Sequence, residues 1–482
     1  MYLLYNNICG DLHMPRIIAT GKQKFREIRQ NNCFYVDKTR FIKDWWDGLD
    51  DVTLITRPRR FGKTLMLDTV RTFFSLEFSG RSDLFESLEI WNYEKFHSLQ
   101  GTIPVIFLSF SNIKGKEYTE IIDKIKEVLV SIYDEFRNVL DSEFFSVTEK
   151  EQIASVRQSM KDFVAQSALL HLCKYITKKY NIEPIILLDE YDTPLHEAWI
   201  HGYWDELAIF MRGFFNSTFK TNSYLGRGLI SGITRVSKES IFSDLNNLKV
   251  ITTTSELYAD SFGFTEHEVF TALDEYGLKE KENVKKWYDG FIFGYESEIY
   301  NPWSIINYLA TKRFSPYWAR TSENVLVSKL IGQSNEDIKE DFSLLLNGEK
   351  IIVKFDEEFV LSQLQNDPGA LWSFLMASGY IKPISYIDID TYEISFTNYE
   401  VTYIIENLIS NWFNKPSMNG KKFREALLNN NLNYMNKYLR DIVEGSFSFF
   451  DTGRQEPERF YHGFVLGLIV DLKDRFIIRS NR

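Results

Sequence analysis

Short apolar runs bounded by turn residues recur along the first half of the chain, with amphipathic stretches between them. Val52-Thr-Leu-Ile-Thr56, Ile103-Pro-Val-Ile-Phe-Leu-Ser109, Ile185-Ile-Leu-Leu188, Gly228-Leu-Ile-Ser-Gly-Ile-Thr234 and Lys249-Val-Ile-Thr-Thr-Thr254 read as strands. Strands that are apolar throughout are buried on both faces, as in a parallel sheet covered by helices. Thr64–Ser79 and Tyr118–Val139 repeat apolar residues every three or four positions, which predicts helices with one buried face. Strand and helix in alternation predict an α/β domain with a parallel sheet over residues 20–260.

Beyond residue 260 the strand pattern thins. Segments rich in Trp and Tyr, such as Trp287-Tyr-Asp-Gly-Phe-Ile-Phe-Gly294 and Pro302-Trp-Ser-Ile-Ile-Asn-Tyr-Leu309, read as helical, so 261–402 is expected to be a mostly helical domain. Asp367-Pro-Gly marks a turn before an apolar helix Ala370–Ser378, and Tyr392-Glu-Ile-Ser-Phe396 alternates like a strand. A helix followed by a short hairpin fits a winged-helix-like module. Residues 403–482 form a C-terminal piece, and 1–19 an N-terminal extension with no periodicity and a second methionine at Met14.

With 482 residues the chain exceeds one ordinary core, so several domains are expected. Its three cysteines, Cys9, Cys33 and Cys173, are too scattered for a disulfide framework or a metal knuckle, which points to a reducing compartment. No apolar stretch approaches the roughly 20 residues of a membrane-spanning helix, so no membrane contact and a cytoplasmic location are expected. A net charge of −11 argues against the whole chain as a polyanion binder. Lys415–Arg482, with 12 Lys+Arg against 8 Asp+Glu, is the part suited to nucleic acid.

The candidate chemistry begins where the strand 52–56 runs into Arg57-Pro58-Arg59-Arg60-Phe61-Gly62-Lys63-Thr64 and then into a helix. Strand, loop and helix in that order are the setting a phosphate loop requires. Gly62 lets the backbone approach a phosphate, Lys63 can reach the β- and γ-phosphates, and Thr64 can hold Mg²⁺. Arg57 stands where the motif has its first glycine, so the match is to its second half. Pro184-Ile-Ile-Leu-Leu-Asp-Glu190 ends a buried strand in two carboxylates at the sheet edge where open α/β folds bind ligands. Asp189 would hold the metal shell and Glu190 would polarise the attacking water; acids that merely end a strand are the alternative. Ser231-Gly-Ile-Thr-Arg235 brings hydroxyls and an arginine to the same edge. Thr234 or Ser231 is suited to sensing the γ-phosphate, and Arg235 is either a cation for the leaving phosphate or a solvated loop residue.

Asn32-Cys-Phe-Tyr-Val-Asp-Lys-Thr39, the Arg57–Thr64 loop, Leu187-Leu-Asp-Glu-Tyr-Asp192 and Gly232-Ile-Thr-Arg235 together resemble the AAA-ATPase-like family found in bacteria, typically fused to a C-terminal nuclease domain of the PD-(D/E)XK superfamily. Tyr317-Trp318, Asn398-Tyr-Glu-Val401 and Glu458-Arg-Phe-Tyr-His-Gly-Phe464 extend the resemblance over nearly the whole chain, and Arg57 is a trait of that family's loop. The resemblance implies a P-loop NTPase sheet of the additional-strand type, with Gly228–Thr234 between the phosphate-loop strand and the Asp189 strand, and Arg235 facing the γ-phosphate. It also implies ATP with Mg²⁺ as cofactors, and it sets Asp37 and Lys38 near the nucleotide, with an ordinary solvated turn as the alternative.

In that superfamily an Asp and a Glu-x-Lys or Asp-x-Lys pair on adjacent strands bind the metal and orient water, and in the family resembled they follow a Ser-Asn-Arg segment. Here Ser480-Asn-Arg482 ends the sequence, so 403–482 is expected to be a truncated nuclease-like domain without cutting activity. It retains Glu458 and His462, and Asp471-Leu-Lys473 only imitates the missing pair. The expectation is an ATP-hydrolysing switch with an unidentified protein or nucleic-acid partner and self-association. The alternatives are a nucleotide-binding scaffold with little turnover, or a nuclease whose acids are supplied elsewhere.

Overall fold

The computed structural model describes residues 15–141, 143–235, 241–242, 245–318, 324–334, 336–355, 368–413 and 420–446, with 465, 469, 472 and 475–477 beyond them. Residues 1–14, Glu458, His462, Asp471 and Lys473 lie outside the described residues. Five strands form one parallel sheet: β1 (Val52–Thr56), β2 (Val105–Ser109), β3 (Ile185–Asp189), β4 (Arg227–Gly232) and β5 (Leu248–Ile251), in the order β2-β3-β4-β1-β5. All five expected strands are present, and β4 lies between β1 and β3 as the resemblance implies. Ile230 pairs with Leu54 on one side and Leu188 on the other.

Alternate side chains of each strand enter different cores, which is why the strands are apolar on both faces. Leu54, Ile106, Ile186, Leu188 and Ile230 pack under the helices Tyr118–Glu135, Asp162–Tyr180 and Trp204–Phe215. Ile55, Ile185, Leu187 and Leu229 pack under Lys63–Phe74 and Arg40–Asp47. The helix Lys63–Phe74 ends earlier than its apolar periodicity because Ser75 is extended, its hydroxyl accepting from the Glu77 amide to start a new turn.

The segment after residue 260 corrects one expectation. Trp287 and Tyr288 end the helix Lys281–Tyr288, but Phe291–Phe293 is a strand that pairs with Glu296–Tyr300. Gly290, at φ 112°, turns the chain where a side chain would meet the Thr397 carbonyl, so the helix cannot continue through it. Farther on, the helix Pro368–Ala377 leads into the hairpin Ile381–Asp388/Thr391–Phe396, and Ile351–Lys354 adds a third strand. A helix Tyr399–Phe413 follows.

Glu400 on that last helix ties these parts together. Its carboxylate is 1% exposed and accepts from the Ser304 hydroxyl at 2.8 Å and from the Trp318 amide at 2.7 Å. Burial raises this carboxyl from its ordinary 4.5 to about 7, against the opposing hydrogen bonds. The folded protein therefore holds this proton more tightly than the unfolded chain does. The stabilisation is complete below pH 4.5 and is lost as pH rises to about 7. Across that window wild type should lose on the order of 3 kcal/mol relative to a Glu400→Gln variant, which does not titrate there. Urea unfolding of both proteins at the two pH limits measures it, and parallel pH profiles would remove Glu400 as the cause.

Candidate functional site

The sheet order brings the C-terminal ends of β1, β3 and β4 side by side. Asp189, the last residue of β3 and 1% exposed, accepts from two hydroxyls at once. Thr64 Oγ1 donates to Oδ2 at 2.8 Å and Ser231 Oγ to Oδ1 at 2.6 Å. One carboxylate thereby joins the first turn of the Lys63–Phe74 helix to β3 and β4. Gly62 precedes that helix in a left-handed conformation, φ 82°, that costs glycine little.

Lys63 is 7% exposed, and its ammonium donates to the carbonyls of Arg57 and Pro58, each at 2.8 Å. A cation held on its own loop's carbonyls can exchange them for phosphate oxygens with little movement. Arg59, Arg60, Phe61, Gly62, Lys63 and Thr64 line a cavity of about 380 Å³, with Glu190 also on its wall. Lys22, Lys38 and Lys114 add positive charge, and Phe34, Val36, Phe264, Trp303 and Ile306 supply an apolar wall. Lys38 is also bonded to Glu268 and to the Asp260 carbonyl, each at 2.7 Å. Asp37 instead receives the Glu89 amide at 2.6 Å and lies outside the lining.

Glu190 has φ 51°, a left-handed backbone that a residue with a Cβ adopts at a cost of about 1 kcal/mol. Burial raises its carboxyl above the ordinary value and Asp189 adds to that, while Lys63 and Arg59 oppose. The result is a carboxylate beside two cations and more basic than one in water.

Four predicted residues, Arg57, Pro58, Thr234 and Arg235, are placed away from this cavity. Arg57 is fully buried, donating to the carbonyls of Thr56, Thr252 and Tyr258. Its guanidinium lies 4.7 Å from the Phe293 ring and 5.7 Å from the Phe262 ring, and desolvation lowers its pKa to about 9. It braces the loop from behind, and Pro58 also lies outside the lining. Thr234 is fully buried; Asp192 Oδ2 accepts its amide at 2.9 Å and its hydroxyl at 3.1 Å, and His196 Nε2 lies 3.2 Å from that hydroxyl. Arg235 lines a small separate cavity with Thr252, Phe355 and Ser373.

Asp192 and His196 are functional candidates that the motif reading passed over, although Asp192 closes the Leu187–Asp192 run. Asp192 also takes the Ile233 amide at 2.8 Å, so it holds the end of β4 to β3. Burial lowers the His196 pKa, which keeps this imidazole neutral near pH 7, and Asp192 opposes the shift.

Residues 19–242 match the family model described as "Predicted AAA-ATPase". A curated relative, an uncharacterized protein in the vnfD 5' region of Azotobacter chroococcum mcd 1, is 26% identical over 320 residues. The match takes in 65% of this chain and 56% of the relative, so the chain spans about half the length of the curated relative it matches. Among solved structures, the Aeropyrum pernix ORC2 protein in ADPNP and ADP complexes is matched at 10% identity and a TM-score of 0.26. That match covers 83% of this chain and 97% of that one. No helix among the described residues is long and apolar enough to cross a membrane.

The brace behind the loop is open to test. Arg57→Ala removes three hydrogen bonds and two ring contacts and leaves a buried hole, so stability should fall by about 3–5 kcal/mol. Thermal unfolding reads the loss, and a melting temperature equal to wild type would show the side chain to be idle.

Proposed function

We propose that the chain is a Mg²⁺-dependent ATPase that works as a nucleotide-driven switch. The observation that carries this reading is the 2.8 Å bond between Thr64 Oγ1 and Asp189 Oδ2. Two hard oxygens converge there beside a phosphate-loop lysine, and Mg²⁺ takes few protein oxygens and completes its shell with water and phosphate. Thr64 and Asp189 would hold the ion, which when bound neutralises charge building on the phosphate oxygens.

Lys63 and the first amides of the Lys63–Phe74 helix bind the β- and γ-phosphates. Glu190 takes a proton from a water whose oxygen attacks the terminal phosphorus, and the bond electrons leave with ADP. Asp192 and His196 hold Thr234, so that the end of β4 responds to events beside Asp189. We read ATP as the nucleotide on the family match over 19–242 and on the apolar wall of the cavity, which suits a base. The output end is read as the C-terminal side, 403–482, where net positive charge favours nucleic acid or an acidic protein.

Two variants separate binding from chemistry. Lys63→Ala should weaken Mg·ATP binding by about 10-fold or more, since the loop loses its main point charge; equal titration curves would refute the site. Glu190→Gln should bind ATP within about 2-fold of wild type and release phosphate about 100-fold more slowly. Undiminished phosphate release from that variant would exclude Glu190 as the base.

A further inference from the structure

The phosphate loop is gripped by residues far away in the sequence. Asn301 Nδ2 and Trp318 Nε1 both donate to the Arg59 carbonyl, each at 3.2 Å. Asn301 also caps the helix Pro302–Thr311 by accepting the amides of Trp303 and Ser304. Both donors lead back to Glu400, whose one oxygen takes the Trp318 amide and whose other takes the Ser304 hydroxyl. A single buried carboxylate thus sets the two clamps.

What the clamps hold is the peptide between Arg59 and Arg60. Arg60 has φ 65°, an unfavourable backbone for a residue with a Cβ, and its guanidinium lies 4.6 Å from the Trp303 ring. A flip of that peptide plane would relieve the strain, but it must turn the Arg59 carbonyl away from both donors. With the carbonyl fixed, the Arg59 backbone keeps one conformation, and its side chain shares the cavity wall with Lys63 and Glu190. The charge on Arg59 acts on Glu190 and on His196 alike. Arg60 lines the same cavity with its guanidinium against Trp303, whereas Arg235 lines a different cavity.

We propose that Arg59 is the cation that stabilises charge as the terminal phosphate leaves, and that Glu400 is its positioning residue, acting through Trp318 and Asn301 on the Arg59 carbonyl. The inference rests on the ATPase reading above. It makes turnover depend on a contact with the helix Tyr399–Phe413, which lies outside the 19–242 family match.

The test is steady-state phosphate release and Mg·ATP binding by the full chain. Trp318→Phe keeps a ring against Phe291 and Tyr380 but removes the indole N–H. It should lower kcat about 5- to 20-fold while KM and binding stay within about 2-fold, because the lost interaction serves the transition state. Glu400→Ala should do the same or worse, and Glu400→Gln should restore near-wild-type kcat, since an amide oxygen still accepts from the Trp318 amide. If Glu400→Ala does not fold, Trp318→Phe still decides. In an Arg59→Ala background, itself slow, Trp318→Phe should change nothing further, as expected of residues acting in one chain. An unaltered kcat in Trp318→Phe or in Arg59→Ala would overturn the proposal, as would an equal fall from Trp318→Phe in both backgrounds. A wild type that binds ATP but releases no phosphate would instead bring down the ATPase reading, and this inference with it.

Discussion

A phosphate loop must hold several backbone groups pointing inward, and it does so either by glycines that adopt the needed angles or by outside support. Here the support is the buried Arg57 guanidinium. Carbonyls from the β5 end and the following turn, at Thr252 and Tyr258, converge on it, and the rings of Phe262 and Phe293 cover it. No carboxylate is among these partners, so carbonyl dipoles and ring faces take the place of a counterion. The arrangement explains why an arginine can stand at the position of the motif's first glycine. Its side chain leaves the site entirely, while its carbonyl remains to receive Lys63.

The same loop is closed from the other side by the second half of the chain. Gly379 packs against Pro58 with room for no side chain, since a Cβ there would come within 3.0 Å of the proline ring. Trp318 stands 5.0 Å from the neighbouring Tyr380 ring. The loop is therefore a shared surface between the parallel sheet and the later elements.

Much of this was legible in the sequence where one residue's neighbours along the chain set its environment. The five strands announced themselves by runs such as Ile185-Ile-Leu-Leu188, because burial on both faces leaves no polar position to blur the pattern. Lys63, Thr64, Asp189 and Glu190 could be picked out by their place at strand ends. The side-chain directions of Arg57, Thr234 and Arg235 could not, because these depend on which partners lie across the fold. Asp192 claims Thr234, and distant carbonyls and rings claim Arg57. Asn301 before Pro302 carried a helix-start signal, but nothing near Trp318 hinted that its indole meets the Arg59 carbonyl, or near Glu400 that it holds the Trp318 amide. The strand Phe291–Phe293 was missed because a three-residue apolar run does not distinguish strand from helix, and the decision fell to Gly290 and Gly294.

The order of the sheet has a consequence for how the chain is born. β1 is the first strand to be synthesised, yet both of its neighbours, β4 and β5, begin at Arg227 and Leu248. For most of the time the ribosome is making this half, Val52–Thr56 has hydrogen-bonding edges and apolar faces with no native partner to cover them. β2 and β3 can pair with one another before then, but the strand that bears the phosphate loop must wait. Parallel pairing over such separations is slow and leaves nascent chains prone to sticking, so the strand that bears the loop is the most exposed part of this sheet until β4 has been made.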